Sequence, residues 1–144
     1  MQTACATQNP LIEPDCVRCL QKKLRAIGAV TFFQDGGDRW RLGCFQGDTP
    51  SSETEVIIYA LMHAKIPEIV WNKGSGFYVN NVDMLKRIFP PIRELFQDHV
   101  MICAPVQYKH LTGVRIAWRD KADEFTLEEL NIIECQGNCP TGCI

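Results

Sequence analysis

"MICAPVQYKHLTGVRIAWRDKADEFTLEELNIIE", residues 101–134, decides the fold. Val100 to Val106 and Leu111 to Arg119 are two extended runs joined by a short polar link. In the second run Val114, Ile116 and Trp118 alternate with Arg115, Ala117 and Arg119, the period of two that puts successive side chains on opposite faces of a strand. The charged stretch Asp120 to Glu124 follows. Thr126 with Glu129 three positions on is a capping box, which satisfies the first free N–H groups of a helix. The helix it opens carries Leu127, Leu130, Ile132 and Ile133, and Gly137 is a natural stop.

Working outward, "SSETEVIIYALMHAKIPEIV", residues 51–70, is a helix–proline–strand unit. Ser52 and Glu55 form another capping box, and Ile57, Leu61 and Ala64 face inward on a helix reaching about Lys65. Pro67 follows its end, and Ile69-Val70-Trp71 reads as a short strand. Upstream, Pro14 and Asp15 open a helix whose stripe is Val17, Leu20, Leu24 and Ile27, with Gly28 as its stop. Ala29 to Gln34 and a return strand around Trp40 to Cys44 flank Asp35-Gly36-Gly37-Asp38, a hairpin turn. On the return strand Cys44 shares parity with Trp40 and Leu42. Between residues 71 and 100, Asn72 to Gly76 is a turn, Phe77-Tyr78-Val79 is extended, and Asn81 or Asp83 caps a helix. That helix carries Met84, Leu85, Ile88 and Phe89. Pro90 and Pro91 break it, and Ile92, Leu95 and Phe96 continue it.

A chain of 144 residues with 46% hydrophobic and 22% charged residues fits one domain with a full core. Residues 1–14 are expected to be a loose arm, 15–137 the domain, and 138–144 a cysteine-containing tail. The net charge of -2 leaves no basic footprint for nucleic acid. No apolar run reaches the roughly 18 residues that a membrane span needs, and the first 20 residues lack a signal core. These features predict a cytoplasmic protein, where cysteines stay as thiols, bind metal or do redox chemistry. The even count of eight would suit disulfides in an oxidising compartment.

The order helix, hairpin, helix, strand, broken helix, hairpin, helix predicts an α/β (α+β) domain with an antiparallel central sheet and helices on its faces. Residues 51–70 and 101–134, taken in that order, resemble the GAF domain family over roughly residues 15–136. PAS and profilin-like domains share the architecture. The resemblance implies a sensory or regulatory module, not an enzyme. Such modules bind small molecules, haem, bilin, metal or iron–sulfur centres, and they dimerise through terminal helices. It also implies that the first and last strands are antiparallel neighbours, so that the first and last helices pack side by side.

That packing gives meaning to the cysteines. Cys16 and Cys19 form a C-x-x-C pair; Cys135, Cys139 and Cys143 form a C-x-x-x-C-x-x-x-C series. With the terminal helices antiparallel, these thiols converge on one site. The expectation is an iron–sulfur cluster on Cys16, Cys19, Cys135 and Cys139, with Cys143 as a further ligand. Zinc, a redox dithiol or no cofactor at all are the alternatives. Cys5, on the arm, is the weakest candidate. The signal would pass through a homodimer seam of the terminal helices to a separate output protein, a kinase or other regulator.

Two other readings remain open. One is a thiol redox enzyme of the GAF sulfoxide-reductase kind using Cys44 or Cys103, with His63, His99 or His110 as partner. The other is a scaffold or assembly factor with an empty GAF fold. The family's ligand pocket would fall near Trp71, Phe77, Tyr78 and the helix from Asp83. Asn72-Lys73, Phe77 and Asn81 are a weak echo of the cyclic-nucleotide motif. Asn81-Val82 stands where that motif has an acidic pair.

Overall fold

The computed structural model describes residues 14–34, 39–48, 51–81, 83–84, 87, 98–108 and 111–134. Helix α1 (Pro14–Leu24) leads into β1 (Gly28–Gln34) and β2 (Arg41–Gly47). Helices α2 (Ser51–His63) and α3 (Ile66–Lys73) follow, then β3 (Phe77–Val79), β4 (His99–Tyr108), β5 (Leu111–Asp120) and α4 (Leu127–Ile133). The strands form one sheet in the order β2-β1-β5-β4-β3. Every pairing is antiparallel. The expected α+β architecture is therefore present, with β1 and β5 as central neighbours: Val30 lies opposite Ile116 and Phe32 opposite Val114.

The strand period of two divides the core. Val30, Phe32, Met101, Cys103, Val114, Ile116 and Trp118 pack with Ile57 and Leu61 of α2 and Ile66 and Val70 of α3. Ala29, Val100, Ile102, Ala104 and Ala117 pack on the other side with Val17, Leu20 and Leu24 of α1 and Ile133 of α4. Both faces are covered, so the alternating Arg115 and Arg119 of β5 are buried, each 2% exposed.

Several local expectations are corrected. Ile69-Val70-Trp71 is helical and belongs to α3. Pro67 sits in the first turn of α3, where its missing N–H is no loss, and Gly74 closes the helix at φ 81° with its N–H on the Trp71 carbonyl. Ile66 and Val70, one turn apart, are both buried. Helix α1 stops at Leu24, before Gly28. Arg25 takes φ 50°. The Ala26 N–H then reaches the Gln21 carbonyl and the Arg25 N–H the Lys22 carbonyl, a Schellman closure made without glycine. Gly28 instead begins β1, and its missing side chain makes room for the Trp118 ring: a Cβ there would lie 2.5 Å from the ring. Ile27 packs on the α2/α3 side, away from the α1 stripe. On β2, Thr31 pairs with Cys44 but Phe32 pairs with Leu42, so Gly43 is an extra residue. This bulge breaks the expected parity: Trp40 packs on the α2/α3 side and Cys44 on the α1 side.

The capping box of α4 is formed as expected, but Leu127 is 69% exposed and contributes little to the core. Asn81 accepts from the N–H groups of Asp83 and Met84, the expected cap. The 35–38 turn, the Ser52 side chain, the segment through Pro90 and Pro91, and Gly137 lie outside the described residues.

Candidate functional site

The site is built where α1 meets α4. Helix α1 buries Cys16, Val17, Cys19, Leu20 and Leu24, a spacing of three and four that keeps them on one side, and Val17, Leu20 and Leu24 pack on the sheet. Arg18 stays exposed on the other side. Cys16 and Cys19 are each 3% exposed. Both are disulfide-bonded, so in this state neither sulfur is a thiolate ligand.

Buried arginines on β5 fix how α4 lies against α1. Arg119 Nη1 donates to the carbonyl of Leu24, the last residue of α1, and to Glu129 Oε2 in the first turn of α4. Its Nη2 reaches Glu129 Oε1 at 2.8 Å and the Glu124 carbonyl at 2.7 Å. The guanidinium also lies 4.0 Å from the centre of the Phe125 ring, a cation–π contact. Four residues back along β5, Arg115 Nη1 donates to the carbonyl of Ile133, at the end of α4, at 3.1 Å. The end of α1 and the start of α4 thus meet at Arg119, while α4 ends beside Arg115. The two helices run antiparallel on one face, so the start of α1 lies toward the end of α4. Val17, Leu20 and Ile133 share one cluster accordingly.

The electrostatics support this arrangement. Burial pushes the Glu129 carboxyl up, but the Arg119 hydrogen bond and charge, with the Thr126 bonds, outweigh it and hold the group below the usual carboxylate range. At the far end, Glu134 Oε2 accepts from the Gly76 N–H at 2.8 Å. Asn80 exchanges two hydrogen bonds with the Phe125 backbone, at 2.9 and 2.8 Å. Together these contacts tie both ends of α4 to the segments flanking β3. Cys135, Cys139, Cys143 and Cys5 lie outside the described residues, as does His110.

The remaining candidates separate. Cys103 is fully buried on the α2/α3 side, and burial pushes its thiol far up, the opposite of a reactive thiolate. Cys44 is half-buried on the α1 side, its N–H bonded to Thr31 Oγ1 at 2.9 Å. His63 is exposed and stacks on Tyr59. Burial lowers the His99 pKa, partly offset by Asp120 and Asp98. Among the described residues, no group of three or more His, Cys, Asp or Glu side chains is arranged to hold a metal. Near the expected ligand pocket, Trp71, Gly74, Pro105, Val106 and Gln107 line a cavity of about 320 Å³, and Lys73 Nζ lies 5.4 Å from the centre of the Phe77 ring.

The polar residues that orient the terminal helices escaped the sequence reading. The alternation places Arg115 and Arg119 on the face opposite Val114, Ile116 and Trp118 but does not say what they meet there. The signal that could have found them was the Thr126/Glu129 box, whose acid sits ten residues after Arg119.

No family model matches the chain, and no curated protein matches it. Among solved structures, it is similar to a GAF domain/HD domain protein from Geobacter sulfurreducens, with TM-score 0.62 and 18% identity over 83% of this chain and 80% of that one. It is also similar to an NreA protein from Staphylococcus aureus mutated in its nitrate-binding site, with TM-score 0.53 and 13% identity over 84% of this chain and 95% of that one. Among the described residues no helix is long and apolar enough to cross a membrane. With the strand order, the antiparallel pairing and the paired terminal helices, these likenesses show that the chain has a GAF-like fold.

Proposed function

We propose that this GAF-like domain is a sensory or regulatory module that reads redox state through cysteines at its two ends. The supporting observation is that Cys16 and Cys19 are buried and disulfide-bonded on a helix whose start lies toward the end of α4. Their partners in this reading are Cys135 and Cys139, with Cys143 in reserve. Reduction of one such bridge by a dithiol takes up two electrons and two protons. It yields two protein thiols and the reductant's own disulfide. It frees the start of α1 from the end of α4. A homodimer seam of these helices would pass that change to a separate output protein. The GAF-like fold of the two similar proteins, one named for a nitrate-binding site, supports a ligand- or state-sensing role over catalysis.

In the reduced state the same sulfurs suit an iron–sulfur cluster or zinc, and this is the second reading. Anaerobic purification with iron, sulfide and zinc analysis separates the two. Iron with sulfide, or zinc, at stoichiometric levels supports a metal centre. A metal-free protein whose Cys16 and Cys19 cycle between thiol and disulfide supports the redox switch. A metal-free protein whose cysteines show no reversible change would contradict both.

A further inference from the structure

The α2/α3 side of the sheet, opposite α1 with Cys16 and Cys19, holds a second candidate site. Arg39, Arg41, Lys65 and Glu68 line a cavity of about 460 Å³, a volume within the range of small-molecule pockets. Trp40, Met62 and Pro67 complete its wall. The cavity lies between the outer strand β2 and the corner joining α2 to α3, away from the middle segment where the sequence placed a ligand.

Its charge is unusual for this chain. Three basic side chains and one acidic one give the lining a formal charge of about +2, while the whole chain carries -2. Among the described residues no ion pair involves Arg39, Arg41 or Lys65.

Lys65 also stands at a special backbone position between α2 and α3. Lys65 takes φ 59°, ψ 34°, the left-handed region, and its side chain makes no capping bond to α3. That conformation suits glycine and strains a side chain that branches nothing toward the cap. The Lys65 N–H bonds the Met62 carbonyl, so this left-handed residue closes α2 much as Arg25 closes α1.

We propose that this cavity binds a small organic dianion bearing a flat ring, of the aromatic phosphate monoester class. The arginines suit a phosphate because their planar forks donate to paired oxygens. Lys65 adds a point charge from the helix corner. Trp40 offers a ring surface, and Met62 and Pro67 an apolar wall. Glu68 leaves a net charge that matches a dianion.

The test is calorimetric titration of the full chain with phenyl phosphate, inorganic phosphate and phenol. Phenyl phosphate is expected to bind at least tenfold more tightly than either of the others. Arg41→Gln and Lys65→Gly are each expected to weaken it at least tenfold. Lys65→Gly removes the amine while suiting the backbone, so its melting temperature should hold or rise and loss of binding cannot be laid to unfolding. Binding should be the same with and without a thiol reductant, which keeps this result separate from the cysteine switch. Inorganic phosphate binding as tightly as phenyl phosphate, unchanged affinity in Lys65→Gly, or no binding at all would overturn the proposal.

Discussion

At the scale of single residues, Arg119 and Glu129 carry the most consequence. A buried ion pair adds little when intact, yet breaking it strands a charge without its partner. Glu129→Gln keeps a side chain that can complete the capping box but removes the negative charge beside Arg119. It should cost roughly 3 kcal/mol in urea unfolding at pH 7. The pH dependence follows the same logic. Folding depresses the Glu129 pKa, so its contribution is present above the unfolded carboxyl value of 4.5 and is lost as pH falls through the lower folded value. The variant should flatten that acid limb; an unchanged limb would show that other carboxylates set it. Gly28 makes a separate prediction. An alanine there drives a Cβ into the Trp118 ring, and overpacking of this kind should lower stability by about 1–3 kcal/mol. A urea midpoint equal to wild type would mean that the ring can move aside.

At the scale of elements, α3 shows where local sequence misleads. Ile69, Val70 and Trp71 are good strand formers, and three residues are too few to show a helical period. What decides the segment is punctuation: Pro67 fits the first turn and Gly74 the left-handed stop. Gly74→Ala should therefore destabilise by about 1 kcal/mol, because no side chain adopts φ 81° without strain. A thermal melt that matches wild type would show that the stop is redundant. The same contrast runs through α1. Its apolar stripe was legible from spacing, whereas its end was not, since Arg25 fills a position usually given to glycine. The strands of 101–134 were legible because their pattern is long. The roles of their two arginines were not legible, because alternation assigns a face but not the groups met there.

At the scale of the whole molecule, the pairing of terminal helices was legible only through the resemblance, since no local pattern reports which strands are neighbours. The GAF-like order of strands puts β1 beside β5, and that single adjacency brings α1 and α4 to one face. The cysteine spacing then becomes a statement about both ends of the chain. Cross-links closing a loop this long stabilise chiefly by restricting the unfolded chain, by about 2–4 kcal/mol. Reduction should lower the melting temperature by roughly 10 °C, and by the same amount in a Cys103→Ser variant, because Cys103 is a free thiol outside the bridges.

The account rests on the two ends sharing one site, and peptide mapping under non-reducing conditions tests that most directly. Trypsin cuts after Arg18, Lys22 and Lys121, so Cys16, Cys19 and the C-terminal cysteines fall on three separate peptides. The account predicts that residues 1–18 and 19–22 are each recovered bonded to residues 122–144 and released by a thiol reductant. Recovery of residues 1–18 bonded only to 19–22, or of both as free thiols in oxidised protein, would contradict it.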